Sequence, residues 1–489
     1  MTDGNVHKQA KRGIKLLLGR QAILQILTFA GGVFLARKLG PSVFGLYAIA
    51  TFLVTAFGLF GDFGLAPSFI QRKKEITERD LQVGFTLQQL IAAVLVAVIL
   101  VSAPWLAHFY PKAPPETVWL VRALAFSLFL TSWRTMSVLQ LERQLRYDRL
   151  AWIEVVETLI FQGLAVGLAA AGFGVWSFVW ATLARGVIGT AIVYATAPWK
   201  VRFAFDVDTA REILRFGIPF QLGAIAHNIG GWITPTLVGG MIGPHAVGYL
   251  SWASSNGKKP LLLVDNVMRV SFPHFSRIQD DRDEVERLMS RYLTYLLLMS
   301  GLWFSLLLVA GPSVVRLVYT SKWLPAVPAL VLNAFVLSLD VVVWVVSVSM
   351  NACGLVRLAA DRAVIRTVAH IVLSIPLVLW LGFNGVPIAY LAMMILTFRW
   401  TFRGLGDGAM GRIMRPVLWL LIPAACASAI GMASLQLHVP LIARCFLSTV
   451  TVGVAYAIVT FLASPPWLKQ SITSRLGSLP LTRWAMARA

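Results

Sequence analysis

The residues of this sequence best suited to chemistry are two adjacent lysines, Lys258 and Lys259, which lie inside the apolar stretch 247–270. The stretch has the length of a membrane span, and a lysine facing lipid at its centre would cost about 2.5–3.5 kcal/mol. Pro260 has no N–H to donate to the carbonyl of Asn256, which predicts a break in the helix. Charged, broken helices occur at membrane depth where they line a cavity. The pattern therefore predicts a pathway for a polar solute.

Two further cations are candidates for the same cavity. Arg185 lies deep in an apolar stretch beside Gly186 and is a second candidate for binding an anion. Arg20 could reach the inner mouth of the cavity, or serve only as a charged anchor at the membrane surface. Cationic side chains suit an anionic solute, and phosphate is the usual partner. Arg134 is close enough to the end of its stretch for its side chain to reach the interface.

Four other polar residues in apolar stretches are candidates for ion coupling or ion pairing. Asp62 could bind a proton or a cation, or pair with a nearby arginine. Asp265 lies two helical turns from Lys258, so the sequence allows a salt bridge between them. His227 and Asn228 precede two glycines and are either site residues or hydrogen-bonded core residues.

Composition fixes the fold class. The chain has 489 residues, of which 57% are hydrophobic and 13% charged, and its mean hydropathy is +0.73. A soluble core could not hide so much apolar sequence, so we predict an all-α polytopic membrane protein. The net charge of +21 fits basic loops at the membrane surface, and no nucleic-acid partner is expected. The three cysteines lack metal-ligand spacing, and we expect no metal or cofactor.

Hydropathy predicts about fourteen transmembrane helices. They cover residues 16–36, 43–66, 82–105, 118–139, 153–173, 176–197, 214–239, 246–270, 291–311, 327–350, 365–383, 385–403, 414–434 and 440–463. A polar joint after residue 199 divides the first twelve into two groups of six. We therefore predict an N-terminal lobe over 1–199, a second lobe over 200–404, and two extra helices with a cytoplasmic tail over 405–489.

Positive charges predict the orientation of the spans. With both termini in the cytoplasm, 32 of the 43 lysines and arginines fall in cytoplasmic loops, seven fall outside and four lie within spans. If 246–270 did not cross, every later loop would change sides and the charge rule would be violated. We therefore predict that the span with the two lysines crosses the membrane.

A repeated motif predicts internal symmetry. The pattern G-P-x-x-x-G occurs at 40–45 and again at 243–248, each time followed by an aromatic residue. The two copies are 203 residues apart and occupy equivalent places in the two groups of six spans. Two unrelated tight turns are the alternative. Since six is even, the two lobes are predicted to be related by a pseudo-two-fold axis along the membrane normal.

No enzyme signature occurs in the chain. It contains no P-loop motif, no H-E-x-x-H and no G-x-S-x-G. The predicted outer loops are too short for the catalytic domain of a membrane polymerase or ligase. We therefore expect a transporter and not an enzyme.

The sequence resembles the opening of Wzx-type polysaccharide flippases, the polysaccharide transporters of the multidrug/oligosaccharidyl-lipid/polysaccharide exporter superfamily. The residues that carry the resemblance are Leu35 to Pro41, Phe44 to Tyr47, Gly61 to Leu65, Ile70 to Arg72 and Ile76-Thr77, then Gly248-Tyr249, Phe272-Pro273, Ser276 to Asp281 and Lys322-Trp323. The likeness covers most of 13–400, and the last two spans match in hydropathy only.

The resemblance implies a function and a location. It implies fourteen helices in two six-helix lobes plus two more, in a bacterial inner membrane. It also implies alternating-access transfer of an undecaprenyl-diphosphate-linked oligosaccharide to the outer leaflet, for exopolysaccharide or lipopolysaccharide assembly. Membrane lipids, a polysaccharide polymerase and a chain-length regulator are the candidate partners. A cation-coupled multidrug exporter of the related branch is the alternative, although acids rather than lysines would then be expected to dominate the cavity.

Overall fold

The computed structural model describes residues 23–61, 65–71, 77–406, 408–437 and 439–470. All regular secondary structure in these ranges is helical, which confirms the predicted all-α class. The chain forms two compact units, Met1–Ser251 and Trp252–Ala489. The predicted lobes 1–199 and 200–404, and their symmetry, stay predictions.

Long apolar helices make this a multi-pass membrane protein. Among the described residues, nine helical segments are long and apolar enough to cross a membrane. One of these segments, Val356–Thr401, contains two helices separated by a turn at Gly382, whose φ is +63°. The total of fourteen spans stays a prediction.

The first unit is built from nine helices and the beginning of a tenth. They are α1 (23–38), α2 (Pro41–Gly58), α3 (Leu65–Gln71), α4 (Glu78–His108), α5 (Thr117–Arg143), α6 (Tyr147–Ala170), α7 (Trp176–Thr196), α8 (Val207–Asn228), the short α9 (Gly239–Met241) and α10 (Pro244–Gly257). A 3-10 turn (Ile229–Trp232) and a π-helical turn (Thr234–Val238) lie between α8 and α9.

Local signals set where these helices begin. Thr77 caps α4, because its hydroxyl accepts a hydrogen bond from the amide of Asp80 at 3.1 Å and the Asp80 carboxylate accepts one from the Thr77 amide at 3.0 Å. Before α8, Asp206 accepts a hydrogen bond from the Thr209 amide at 2.8 Å. The side-chain and backbone hydrogen bonds from Thr209 lower the pKa of the Asp206 carboxyl.

The outer surface of α4 shows why the chain belongs in lipid. Its largest exposed apolar side chains recur every three or four residues and therefore lie along one face of the helix. They are Leu90, Val94, Val98, Val101 and Trp105. In water such a stripe would be buried against another element, so its exposure indicates a lipid-facing surface.

The two copies of the repeated motif meet inside the first unit. Each opens a helix with proline in the first turn, Pro41 in α2 and Pro244 in α10. A Cβ at Gly45 would collide with the carbonyl of Pro244, and a Cβ at Gly248 would collide with the carbonyl of Pro41. The glycines therefore allow backbone-to-backbone contact between α2 and α10.

The second unit continues α10 and adds nine helices. They are α11 (Leu261–Arg277), α12 (Arg282–Val309), the short α13 (Gly311–Val314), α14 (Val327–Ala352), α15 (Val356–Leu381), α16 (Gly385–Thr401), the short α17 (Ala409–Met414), α18 (Leu421–Ser434) and α19 (Leu441–Ala463). A π-helical turn (Val315–Tyr319) and a 3-10 turn (Ser321–Ala326) precede α14, and further 3-10 turns lie at Gly382–Asn384 and Arg415–Leu420.

The described part of the second unit is held together by two apolar cores and by a third cluster, in which Val343, Met393 and Met394 join α14 to α16. The larger core joins α11, α12, α14 and α17, with Met289, Leu293, Leu337 and Val345 fully or almost fully buried. The smaller core packs α18 and α19 against the end of α12. There the Tyr456 hydroxyl donates to the carbonyl of Leu298 at 2.9 Å. The larger core fixes α14 beside the end of α10, where the candidate site lies.

Candidate functional site

The predicted helix break at Pro260 is confirmed. Helix α10 ends at Gly257, a turn occupies 258–260, and α11 begins at Leu261. The amide of Leu261 donates to the carbonyl of Lys258 at 2.9 Å, a tighter turn than an α-helix would make. The two lysines therefore lie in the turn itself, at the joint between two helices.

Neighbouring helices complete the broken backbone. In a continuous helix the Gly257 carbonyl would accept from the amide of Leu261; here it accepts from the indole Nε1 of Trp303 in α12 at 2.9 Å. Gly257 itself is packed tightly against α14. A Cβ at Gly257 would lie 2.8 Å from the carbonyl oxygen of Leu330 and 2.8 Å from the Cβ of Asn333. Glycine at the end of α10 thus lets the lysine turn approach α14 closely.

Lys258 forms an ion pair with Asp340 of α14. The Lys258 Nζ lies 2.8 Å from Oδ2 of Asp340, and the Tyr390 hydroxyl of α16 donates to Oδ1 of the same carboxylate at 2.6 Å. Nζ also lies 4.7 Å from the centre of the Tyr390 ring, within cation–π range. Side-chain exposure is 23% for Lys258 and 12% for Asp340. The ammonium is therefore paired and largely shielded, yet still reachable.

A polar face of α15 borders this cluster. His370 packs edge-on against the Tyr390 ring, with 4.9 Å between ring centres, and its Nε2 lies 3.4 Å from the carbonyl of Val386. Arg366, one turn earlier on α15, contacts Tyr390 and donates to the sulfur of Met394 at 3.0 Å. Since Arg366 and His370 are four residues apart, they share one face of the helix.

The opposite face of α15 is apolar and exposed. Its exposed side chains include Val364, Val368, Val372 and Leu379. The helix is therefore polar toward α14 and α16 and apolar toward lipid, the reverse of a helix on a soluble protein. The polar side of α15 therefore faces the pair of Lys258 and Asp340, and its apolar side faces lipid.

Lys259 follows Lys258 in the turn and is half-buried. Asp265 lies on α11 and is also half-buried. The sequence allowed a salt bridge between Lys258 and Asp265. Lys258 instead forms its ion pair with Asp340.

Arg185 belongs to a separate cluster in the first unit. The carboxylate of Glu157 in α6 forms ion pairs with two arginines. Nη1 of Arg134 lies 2.5 Å from Oε1 of Glu157, and Nε of Arg185 lies 3.8 Å from Oε2. The Glu157 side chain is 6% exposed, whereas that of Arg185 is 51% exposed. Two guanidinium groups share one carboxylate, so the cluster carries a net positive charge on its exposed side. Arg134 is thus paired with an acid instead of reaching for the interface.

The structure does not describe the side chains of four predicted site residues. Arg20 and Asp62 lie outside the described residues. His227 and Asn228 lie in α8, but their side chains are outside what the structure describes.

The sequence alone did not pair the predicted cations with the acids that face them. Glu157 lies within the predicted span 153–173, and Asp340 within 327–350, so both were visible as acids in apolar sequence. Their partners are 82 residues away for Asp340 and 23 to 28 residues away for Glu157, beyond any local periodicity. Tyr390 gave no signal, because tyrosine is common at the interfacial ends of membrane helices. His370 lies within the predicted span 365–383 and was visible there as an ionisable residue in apolar sequence.

A cavity of about 450 Å³ lies elsewhere in the first unit. The turns before α2, α5, α7 and α10 line it, with Lys112, Glu116, Trp176 and His245 among its side chains. Of the predicted site residues whose side chains the structure describes, none lines this cavity.

Comparison with known proteins identifies the family. The model of the family described as "Polysaccharide biosynthesis protein" matches residues 34–328, more than half of the chain. The chain belongs to this polysaccharide biosynthesis family, which confirms the resemblance to Wzx-type proteins.

Three relatives of this chain are also named for the biosynthesis of polysaccharides. The chain is 28% identical over 308 residues to the teichuronic acid biosynthesis protein TuaB of Bacillus subtilis, covering 62% of this chain and 61% of TuaB. It is 26% identical over 314 residues to the succinoglycan biosynthesis transport protein ExoT of Rhizobium meliloti, covering 63% and 62%. It is 23% identical over 312 residues to the lipopolysaccharide biosynthesis protein WzxC of Escherichia coli, covering 60% of each. The chain thus spans about three fifths of the length of these relatives.

Solved structures share the fold. The lipid II flippase MurJ, in an inward closed conformation, aligns over 92% of this chain and 98% of its own, with a TM-score of 0.74 and 15% identity. An inward-facing multidrug transporter of the MATE family aligns over 78% and 94%, with a TM-score of 0.61 and 17% identity. These likenesses show a shared transporter fold. The name of ExoT is that of a transport protein, in agreement with the lack of an enzyme signature in the sequence.

Proposed function

We propose that this protein flips an undecaprenyl-diphosphate-linked oligosaccharide from the cytoplasmic to the outer leaflet of a bacterial cytoplasmic membrane. Transfer would proceed by alternating access, with both chain termini in the cytoplasm. The product would feed exopolysaccharide or lipopolysaccharide assembly, with a polysaccharide polymerase and a chain-length regulator as the downstream protein partners. Family membership and the named biosynthetic roles of TuaB, ExoT and WzxC support this proposal.

One observation carries the substrate assignment: a lysine ammonium held at a helix break among membrane helices. Lys258 keeps 23% of its side chain exposed while Asp340 and Tyr390 hold its nitrogen in place. An ammonium group with three N–H donors can bind phosphoryl oxygens. Lys258 and Lys259 would bind the diphosphate, and the half-exposed Arg185 would provide further positive charge. Arg20 would supply positive charge at the cytoplasmic mouth. Asp62, Asp265, His227 and Asn228 stay candidates for ion coupling.

The test removes the two lysines and measures lipid movement. The double variant Lys258→Ala/Lys259→Ala is reconstituted in proteoliposomes with a diphosphate-linked oligosaccharide lipid placed in one leaflet. A membrane-impermeant glycosidase in the external buffer then cleaves only the glycans that have reached the outer leaflet. We expect the wild-type protein to expose the glycan and the double variant to expose little above protein-free liposomes.

A matched control removes the same charge elsewhere. Arg37 and Lys38 are adjacent exposed cations at the end of α1, so Arg37→Ala/Lys38→Ala removes two positive charges without touching the helix break. This control is expected to transport the lipid normally. Full transport by the Lys258/Lys259 double variant would refute the assignment of the site. Efflux of drug cations by the wild-type protein, with no movement of the glycan lipid, would support the multidrug alternative.

A further inference from the structure

The ammonium that would bind the substrate already has a carboxylate partner. Asp340 Oδ2 lies 2.8 Å from Lys258 Nζ, and Asp340 itself is only 12% exposed. Any anion that takes Lys258 must therefore separate a shielded ion pair or share the ammonium with a nearby negative charge. Both routes weaken the binding of the anion relative to a lysine without an acid beside it.

The surroundings of Asp340 favour exchange of partners over permanent locking. The Tyr390 hydroxyl donates to Oδ1 of Asp340, whereas Lys258 is bound to the other oxygen, Oδ2. If the ammonium moved away, Asp340 would keep the hydrogen bond from Tyr390 and would not be left without a donor. Lysine is also suited to such a movement, since its charge sits at the end of a flexible chain of four carbons.

We propose that Asp340 is an internal counter-ion that competes with the substrate's diphosphate for Lys258. The competition limits how tightly the diphosphate is held, which promotes release, and re-forms a neutral pair once the substrate leaves. A carrier needs both properties, because a substrate bound too tightly is not delivered and an unpaired buried charge is costly. This inference rests on the proposed function, since it assumes that Lys258 binds the diphosphate.

The experiment measures binding and transport of glucosyl undecaprenyl diphosphate by the full-length protein in lipid nanodiscs and proteoliposomes. In Asp340→Asn the competing charge is lost and the shape is kept. We expect the Kd of this variant to fall by about tenfold or more, and its transport rate to fall as well, because release becomes slower. Asp340→Glu keeps the charge and is expected to bind with an affinity close to that of the wild-type protein.

The opposite sign of the affinity change would overturn the inference. If Asp340 only positions Lys258, Asp340→Asn will bind the lipid more weakly or equally well. Lys258→Ala separates this failure from that of the proposed function: if it leaves both binding and transport unchanged, the proposed site itself is wrong. If Asp340→Asn does not fold, Tyr390→Phe gives a second test. Loss of the hydroxyl leaves Asp340 more dependent on Lys258, so the affinity for the lipid should fall severalfold, and a rise would contradict the proposal.

Discussion

Lys258 and Asp340 lie 82 residues apart in the chain and 2.8 Å apart in the fold. One belongs to the turn between α10 and α11, the other to the middle of α14. The pair brings a positive and a negative charge into contact among membrane helices. Either charge alone would raise the free energy of the folded protein there. Tyr390 contacts both members of the pair, and His370 and Arg366 contact Tyr390 in turn.

Breaking this pair should destabilise the protein strongly. Lys258→Met leaves Asp340 charged, largely buried and without its cation, and we expect a loss of about 3 kcal/mol in the free energy of unfolding. The double variant Lys258→Met/Asp340→Leu replaces both charges by apolar groups and should recover most of that loss. Chemical or thermal unfolding in detergent measures the effect.

An exposed pair of equal length is the control. Arg287 and Glu284 are also 2.8 Å apart, but their side chains are 63% and 45% exposed. Arg287→Met should therefore change the unfolding free energy by less than about 1 kcal/mol. Equal losses at Lys258 and Arg287 would show that the protein does not shield the Lys258 pair.

The contact between the repeated motifs should not tolerate a single methyl group. Gly45→Ala would drive a Cβ into the carbonyl of Pro244, which belongs to the backbone and cannot move aside easily. We expect a loss of about 3 kcal/mol or more, seen as a sharp drop in folded, monodisperse protein after purification. Gly163→Ala on α6 is the control, because nothing lies within 4 Å of its added Cβ. That variant should be neutral or slightly more stable, by up to about 1 kcal/mol.

The two arginines on Glu157 should differ in their roles. Arg134 is closer to the carboxylate and 23% exposed, whereas Arg185 is farther away and 51% exposed. Arg134→Ala should therefore lower the unfolding midpoint more than Arg185→Ala. Conversely, Arg185→Ala should slow glycan-lipid transport while leaving the folded protein intact, if its exposed guanidinium binds substrate. A larger loss of stability at Arg185 than at Arg134 would contradict this division.

The sequence by itself determined the class of the protein and the position of its helix break. Apolar composition requires a membrane, and backbone groups in a membrane require helices, so the all-α class followed without any knowledge of packing. The break at Pro260 followed in the same way, because the missing N–H is a covalent property of proline. The resemblance of the N-terminal run to polysaccharide flippases was likewise visible in the residues, and the family match confirmed it.

Only the tertiary structure decided which charges are paired. Ion pairs between helices depend on which faces meet, and the sequence spacing of 82 residues between Lys258 and Asp340 carries no information about that. The ion pair between Arg134 and Glu157 likewise depends on which helices meet. So does the hydrogen bond from Trp303 to the carbonyl of Gly257, which the helix break leaves without its helical partner. Local covalent chemistry fixes where a helix stops, whereas the packing of distant helices fixes what its exposed end will bind.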